Sequence, residues 1–123
     1  MAILGMDQYA VALADKTPGS RVVEDGAGVK AAHEAQLVPI LAPSRWLHAA
    51  DELPHSWEVT SDSLAAYLAM LLGAEELVLV KPVASGDGLV DPFFFRALAA
   101  GIRWRVLGID AIASLPDMVA GAR

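Results

Sequence analysis

The chain of 123 residues contains no cysteine. That absence excludes disulfides, thiolate nucleophiles and cysteine-built zinc or iron–sulfur sites. Positive charge is scarce: nine Lys and Arg stand against fifteen Asp and Glu, for a net charge of -6. The basic residues are scattered rather than gathered into a stripe, which argues against a nucleic-acid partner. No apolar run reaches the ~18 residues of a membrane-spanning helix. The first fourteen residues hold Asp7 and Gln8 but no Lys or Arg, so they do not read as a signal peptide, and cytoplasm is the expected location. Neither a GxGxxG nor a Walker sequence occurs, and there is no internal repeat, low-complexity tract or evident domain boundary.

What is present is a chain 55% hydrophobic and 20% charged but only 7% aromatic. Its length suits one domain, and folding at this size buries roughly two-thirds of the unfolded surface. That composition argues against disorder. The apolar excess implies surface that needs covering, by a second subunit or a further domain.

Along the chain, Ile3, Met6, Ala10 and Leu13 recur at helical spacing, with Tyr9 beside them, and Met6 and Tyr9 read as core residues or, failing that, as an interface. Thr17-Pro18-Gly19-Ser20 turns the chain towards a short strand at Arg21–Glu24. Gly26–Gln36 reads as a helix with His33 on its polar side. Leu37–Leu41 suits a strand buried on both faces, although Pro39 hints at an edge. Pro43–Trp57 reads as a long irregular stretch, its Trp46 and Trp57 pinned to the core; His48 and His55 do not make a metal-ligand set.

Leu64, Leu68, Leu71 and Leu72, with Tyr67, form the stripe of a strong helix capped by Ser61 or Asp62 and ended by Gly73. Leu77–Val80 is the clearest strand, and the strand–helix–strand order is that of a parallel crossover. A turn-rich loop, Pro82–Gly88, precedes a helix at Phe93–Ala100, a strand at Trp104–Leu107 and a closing helix at Leu115–Ala120. Phe93, Phe94 and Phe95 cannot share one helix face, so at least one is exposed. The expected class is α/β, with a mainly parallel sheet in a three-layer arrangement.

The densest chemistry lies where Thr60-Ser61-Asp62-Ser63 meets a helix N-terminus and Lys81 ends a strand. Unpaired amides and the positive end of a helix dipole suit phosphate oxygens, and open α/β sheets bind ligands beyond the carboxyl ends of their strands. A carboxylate and an ammonium there would hold a phosphoryl group, the Lys offsetting charge and the Asp orienting the Lys or a metal. Singly, each residue has a plainer reading: Asp62 as an N-cap, Lys81 as a solvated strand end, Gly86-Asp87-Gly88 as a tight turn. Arg45 could reach an anionic substrate or form a surface salt bridge.

Thr60-Ser61-Asp62-Ser63-Leu64-Ala65-Ala66, Leu72-Gly73-Ala74, Leu77–Lys81 and Gly88-Leu89-Val90-Asp91-Pro92 follow one another in a single order. That order resembles the second, nucleotide-binding half of the amino acid kinase superfamily, which includes acetylglutamate, aspartate, uridylate and isopentenyl phosphate kinases. Ala2–Tyr9 and Leu53–Ser63 resemble more particularly the small members associated with C1 metabolism and methanofuran-type cofactor synthesis. The resemblance implies an ATP- and Mg2+-dependent phosphotransferase acting on a small-molecule acceptor, a phosphomonoester or a carboxylate. It implies that Asp62 and Lys81 stand at the transferred phosphoryl group, that Ser61, Ser63, Pro82, Val83, Gly86, Asp87, Gly88 and Asp91 line the nucleotide, and that no protein cluster holds a metal. Many members carry Thr-Asp where this chain has Lys81-Pro82, a place where uridylate kinases also bring a Lys.

The superfamily's opening strand, Lys and glycine-rich loop have no counterpart from Met1 onward. The expectation is therefore of a partial kinase: a fragment, a chain completed by a second chain or homo-oligomer, or a relative that no longer catalyses. A non-catalytic oligomeric module binding nucleotide or oxyanion is the alternative, and a purely structural α/β domain the third reading.

Overall fold

The structure, a computed structural model, describes residues 3–50, 61–82, 90–91 and 93–114. Internal contacts fall into two compact units, Met1–Ser61 and Asp62–Arg123. Each is built on its own pair of parallel strands, as the α/β reading of the sequence requires.

The first unit runs α1 (Ile3–Asp15), β1 (Ser20–Val23), α2 (Gly26–Glu34), β2 (Val38–Leu41) and α3 (Ser44–Ala50). β1 and β2 are parallel, in register from Ser20 opposite Val38 to Val23 opposite Leu41. Parallel neighbours cannot be joined by a tight turn, so α2 serves as the crossover. Asp25 caps it, accepting a 2.8 Å hydrogen bond from the Gly28 N–H. A Cβ on Gly28 would stand 2.9 Å from the Val23 Cβ, so only glycine lets the helix lie this close to its strand. Two residues past the end of α2, Gln36 takes left-handed backbone, with a φ of 61°. The Gln36 N–H donates to the His33 carbonyl at 3.0 Å and the Leu37 N–H to that of Ala32 at 2.8 Å, which together close the last turn.

Three expectations are corrected here. β2 is not buried on both faces: Val38 is exposed and Pro39, Ile40 and Leu41 are half-buried. Tyr9 is 70% exposed and so is not a core residue. The stretch from Pro43 is not irregular throughout, because Ser44–Ala50 is helical. The Pro43 carbonyl accepts the first helical bond from Leu47, while the Asp7 carboxylate on α1 accepts the Ser44 N–H at 3.0 Å and also the Ser44 hydroxyl. That cap comes from 37 residues away, so no local pattern announces it. The Trp46 ring lies over the first turn of α2, 3.6 Å from where a Cβ on Gly26 would sit; packing is its role. His33 and His48 are exposed. His55 and Trp57 lie outside the described residues.

The second unit runs α4 (Ser61–Leu72), β3 (Glu76–Lys81), α5 (Phe94–Ala97) and β4 (Arg103–Gly108), then a 3-10 turn at Ile109–Ser114. β3 and β4 are parallel, from Glu76 opposite Arg103 to Lys81 opposite Gly108. Ala66, Leu79 and Phe94 make the core, with Leu77, Leu98 and Val106 packed against them. On the opposite face of the strand pair the Glu76 carboxylate pairs with Arg103 and Arg105. The expected helix at 93–100 is a single turn, since Leu98 adopts extended backbone. Of the three successive phenylalanines, Phe94 is fully buried and Phe95 is 60% exposed. Leu72 is exposed rather than part of the buried stripe, and Ala66 and Ala69 join Leu64 and Leu68 on it. The closing helix expected at 115–120 lies outside the described residues.

α4 stops at Gly73 (φ 65°), whose N–H donates to Met70 while that of Ala74 donates to Ala69. β3 begins three residues later. Twelve helical residues rise roughly 18 Å and six strand residues roughly 20 Å. Helix and strand, joined at one end, therefore finish level at the other, with the start of α4 beside the end of β3. Among the described residues no helix is long and apolar enough to cross a membrane.

Candidate functional site

Asp62 is the second residue of α4 and Lys81 the last of β3. Matched lengths bring the two together across 19 positions of sequence. The Lys81 ammonium donates to both Asp62 oxygens, at 2.7 and 2.8 Å. The pair is largely out of water: the Lys81 side chain is 24% exposed and that of Asp62 12%. An ammonium has three N–H donors, so this arrangement commits two and leaves one to aim elsewhere. A partly desolvated ion pair loses hydration that its mutual attraction only partly returns, which makes it a weak source of stability.

The next residue, Ser63, is fully buried and turned to a second carboxylate. Its N–H donates to an Asp91 oxygen at 3.1 Å and its hydroxyl to the other. Asp91 is itself buried and also accepts the Phe93 N–H at 2.9 Å. One carboxylate thus satisfies an amide in the first turn of α4 and another at the start of α5. The local half of this contact, from Asp to the amide two residues on, is a turn habit of Asp that sequence can show. The half that reaches Ser63 spans 28 residues and carries no sequence signal.

Of the other expected site residues, Ser61 opens α4 and is exposed, and Pro82 is exposed directly after β3. Val83, Gly86, Asp87 and Gly88 lie outside the described residues. Arg45 belongs to the first unit and stands 3.7 Å from the Glu24 carboxylate, both well exposed, so their attraction is weak. Among the described residues no group of three or more His, Asp or Glu side chains could hold a metal ion.

No family model matches the chain. A stretch of 60 residues, 49% of the chain, is 40% identical to [5-(aminomethyl)furan-3-yl]methyl phosphate kinase of Methanocaldococcus jannaschii. The match spans about a quarter of that relative's length, 26%. Over that stretch, the chain is similar to part of a protein named as a phosphate kinase.

Proposed function

We propose that the chain is the nucleotide-binding, C-terminal half of an amino acid kinase-type phosphotransferase, with the phosphoryl end of ATP at Asp62 and Lys81. The observation that carries this reading is the double hydrogen bond between those two side chains at the joint end of α4 and β3. Phosphoryl transfer asks the protein mainly for positioning and for positive charge held where negative charge develops. Lys81, aimed by Asp62, supplies the charge with one donor to spare. The first turn of α4 adds the positive end of a helix dipole, although its Ser63 amide is already taken by Asp91. Pro82 and the segment 83–91 are then the nucleotide side of the site.

Mg2+ fits this reading as a companion of the nucleotide: it is held mostly by phosphate oxygens and needs only one or two carboxylates. Asp62 is the carboxylate that would face it, and the ion would neutralise charge on the phosphates. The acceptor would be a small phosphomonoester, the class in the relative's printed name. On this reading the phosphate loop would come from a chain of different sequence.

Calorimetric titration with Mg-ADP tests the proposal, with the double variant Asp62→Asn, Lys81→Ala as control. Saturable binding that disappears in the variant is expected. Failure of the wild-type chain to bind would overturn the nucleotide role.

A second reading, a non-catalytic oligomeric module that binds nucleotide or an oxyanion, is favoured by the exposed Leu4, Tyr9 and Val11 on α1. A stable oligomer that binds Mg-ADP but transfers no phosphoryl group, even beside a completing chain, would select it.

A further inference from the structure

Lys81 and Asp91 flank the segment 82–90, and their side chains end on consecutive residues of one helix. Lys81 holds Asp62 and Asp91 holds Ser63. The two contacts are unequal in kind. The first is an ion pair with a donor to spare. In the second, Asp91 accepts two donors from Ser63 and one from the Phe93 amide.

We propose that Asp91 is a positioning residue: it fixes the first turn of α4 so that the Asp62 carboxylate meets Lys81 squarely, and it acts on nucleotide only through that pair. The proposal rests on the nucleotide role of Asp62 and Lys81. It reassigns Asp91 from lining the nucleotide to holding the residue next to Asp62. Ser63 has no freedom of its own, being fully buried with both its N–H and its hydroxyl committed to one carboxylate. Releasing either donor would leave a buried polar group without that acceptor, and the turn would shift to recover a partner. Asp62 precedes Ser63 directly and would move with it. A lysine paired through both carboxylate oxygens is sensitive to such a shift, because both bonds cannot follow a rotation of the carboxylate.

The test uses the full chain and two readouts. The chain has only three lysines, and Lys16 and Lys30 are exposed. In 15N-labelled protein the Lys81 ammonium, held by Asp62, gives a proton–nitrogen cross peak that the two exposed ammonium groups lose to rapid exchange with water. The expected result for Asp91→Asn is a folded protein in which the Lys81 peak is lost or broadened. Mg-ADP affinity should fall about tenfold, the scale on which groups that orient a binding side chain act. A folded Asp91→Asn protein with the wild-type Lys81 peak and wild-type affinity, and merely a lower melting temperature, overturns the proposal. If Asp91→Asn does not fold, Ser63→Ala, which keeps the backbone contact and removes only the hydroxyl, decides by the same readouts. Should the wild-type chain bind no Mg-ADP, the nucleotide reading is what fails, and the Lys81 peak alone then judges the positioning role.

Discussion

The Asp62–Lys81 pair couples two residues that would each be unremarkable alone, and substitution should reveal the coupling. Lys81→Met removes the cation that neutralises a carboxylate only 12% exposed. We expect it to destabilise the protein by about 2 kcal/mol, somewhat less than for a fully buried pair. Adding Asp62→Asn should restore more than half of that, so urea denaturation of the two single variants and the double should give clearly non-additive losses. Additive losses would mean that the pair is not coupled. Both residues were legible in the sequence as types in suggestive places, an acidic residue at a helix start and a lysine at a strand end. Their contact was legible only in part: it follows from the lengths of α4 and β3, which the apolar runs and Gly73 mark out. Asp91 was legible as a residue worth noting but not for its contact, because nothing local links it to Ser63.

At the scale of elements, the helix ends are the most instructive. Gly73 takes left-handed backbone with the residue type best suited to it, whereas Gln36 takes the same backbone with a side chain that disfavours it. Gln36→Gly should therefore raise stability, by about 0.5 kcal/mol once the greater freedom of glycine in the unfolded chain is set against the relieved strain. Thermal unfolding of the variant checks this, and an unchanged or lower midpoint would contradict it. The same comparison explains where reading the sequence succeeded. α1, α2, α4 and all four strands were visible because their periodicity and stop signals agree. α3 was hidden because its cap is Asp7, a residue on another helix, and because the stretch from Pro43, with no capping pattern of its own, reads locally as loop. α5 was drawn too long because Phe93–Ala100 has helical composition throughout, while the buried Phe94 fixes only one turn before the chain extends at Leu98.

For the whole molecule, the apolar excess noted in the composition has a visible outlet. Leu4, Tyr9 and Val11 on the first unit and Val80, Phe95 and Ile109 on the second are all exposed. Burying side chains of this size is worth roughly 1.5–3 kcal/mol each, a strong incentive to associate. We expect the wild-type chain to sediment heavier than a monomer in a concentration-dependent manner, and Tyr9→Asp to shift it towards the monomer. A strictly monomeric wild type at high concentration would remove the basis for the oligomeric reading. At this scale the α/β class and the parallel pairing were readable from the order of elements. The division into two compact units was not, because the sequence between them shows no change of composition.

The segment between Lys81 and Asp91 is nine residues, 82–90, and both flanking side chains are moored to neighbouring positions of one helical turn. For a flexible linker, doubling the number of residues between two fixed points adds only about 0.6 kcal/mol of closure entropy. Insertions there should leave the denaturation midpoint almost unmoved, and the surrounding frame can host segments of differing length and chemistry while its charged pair stays where it is. On the proposed nucleotide role, changes within 82–90 would alter ligand preference while the Asp62–Lys81 pair is kept.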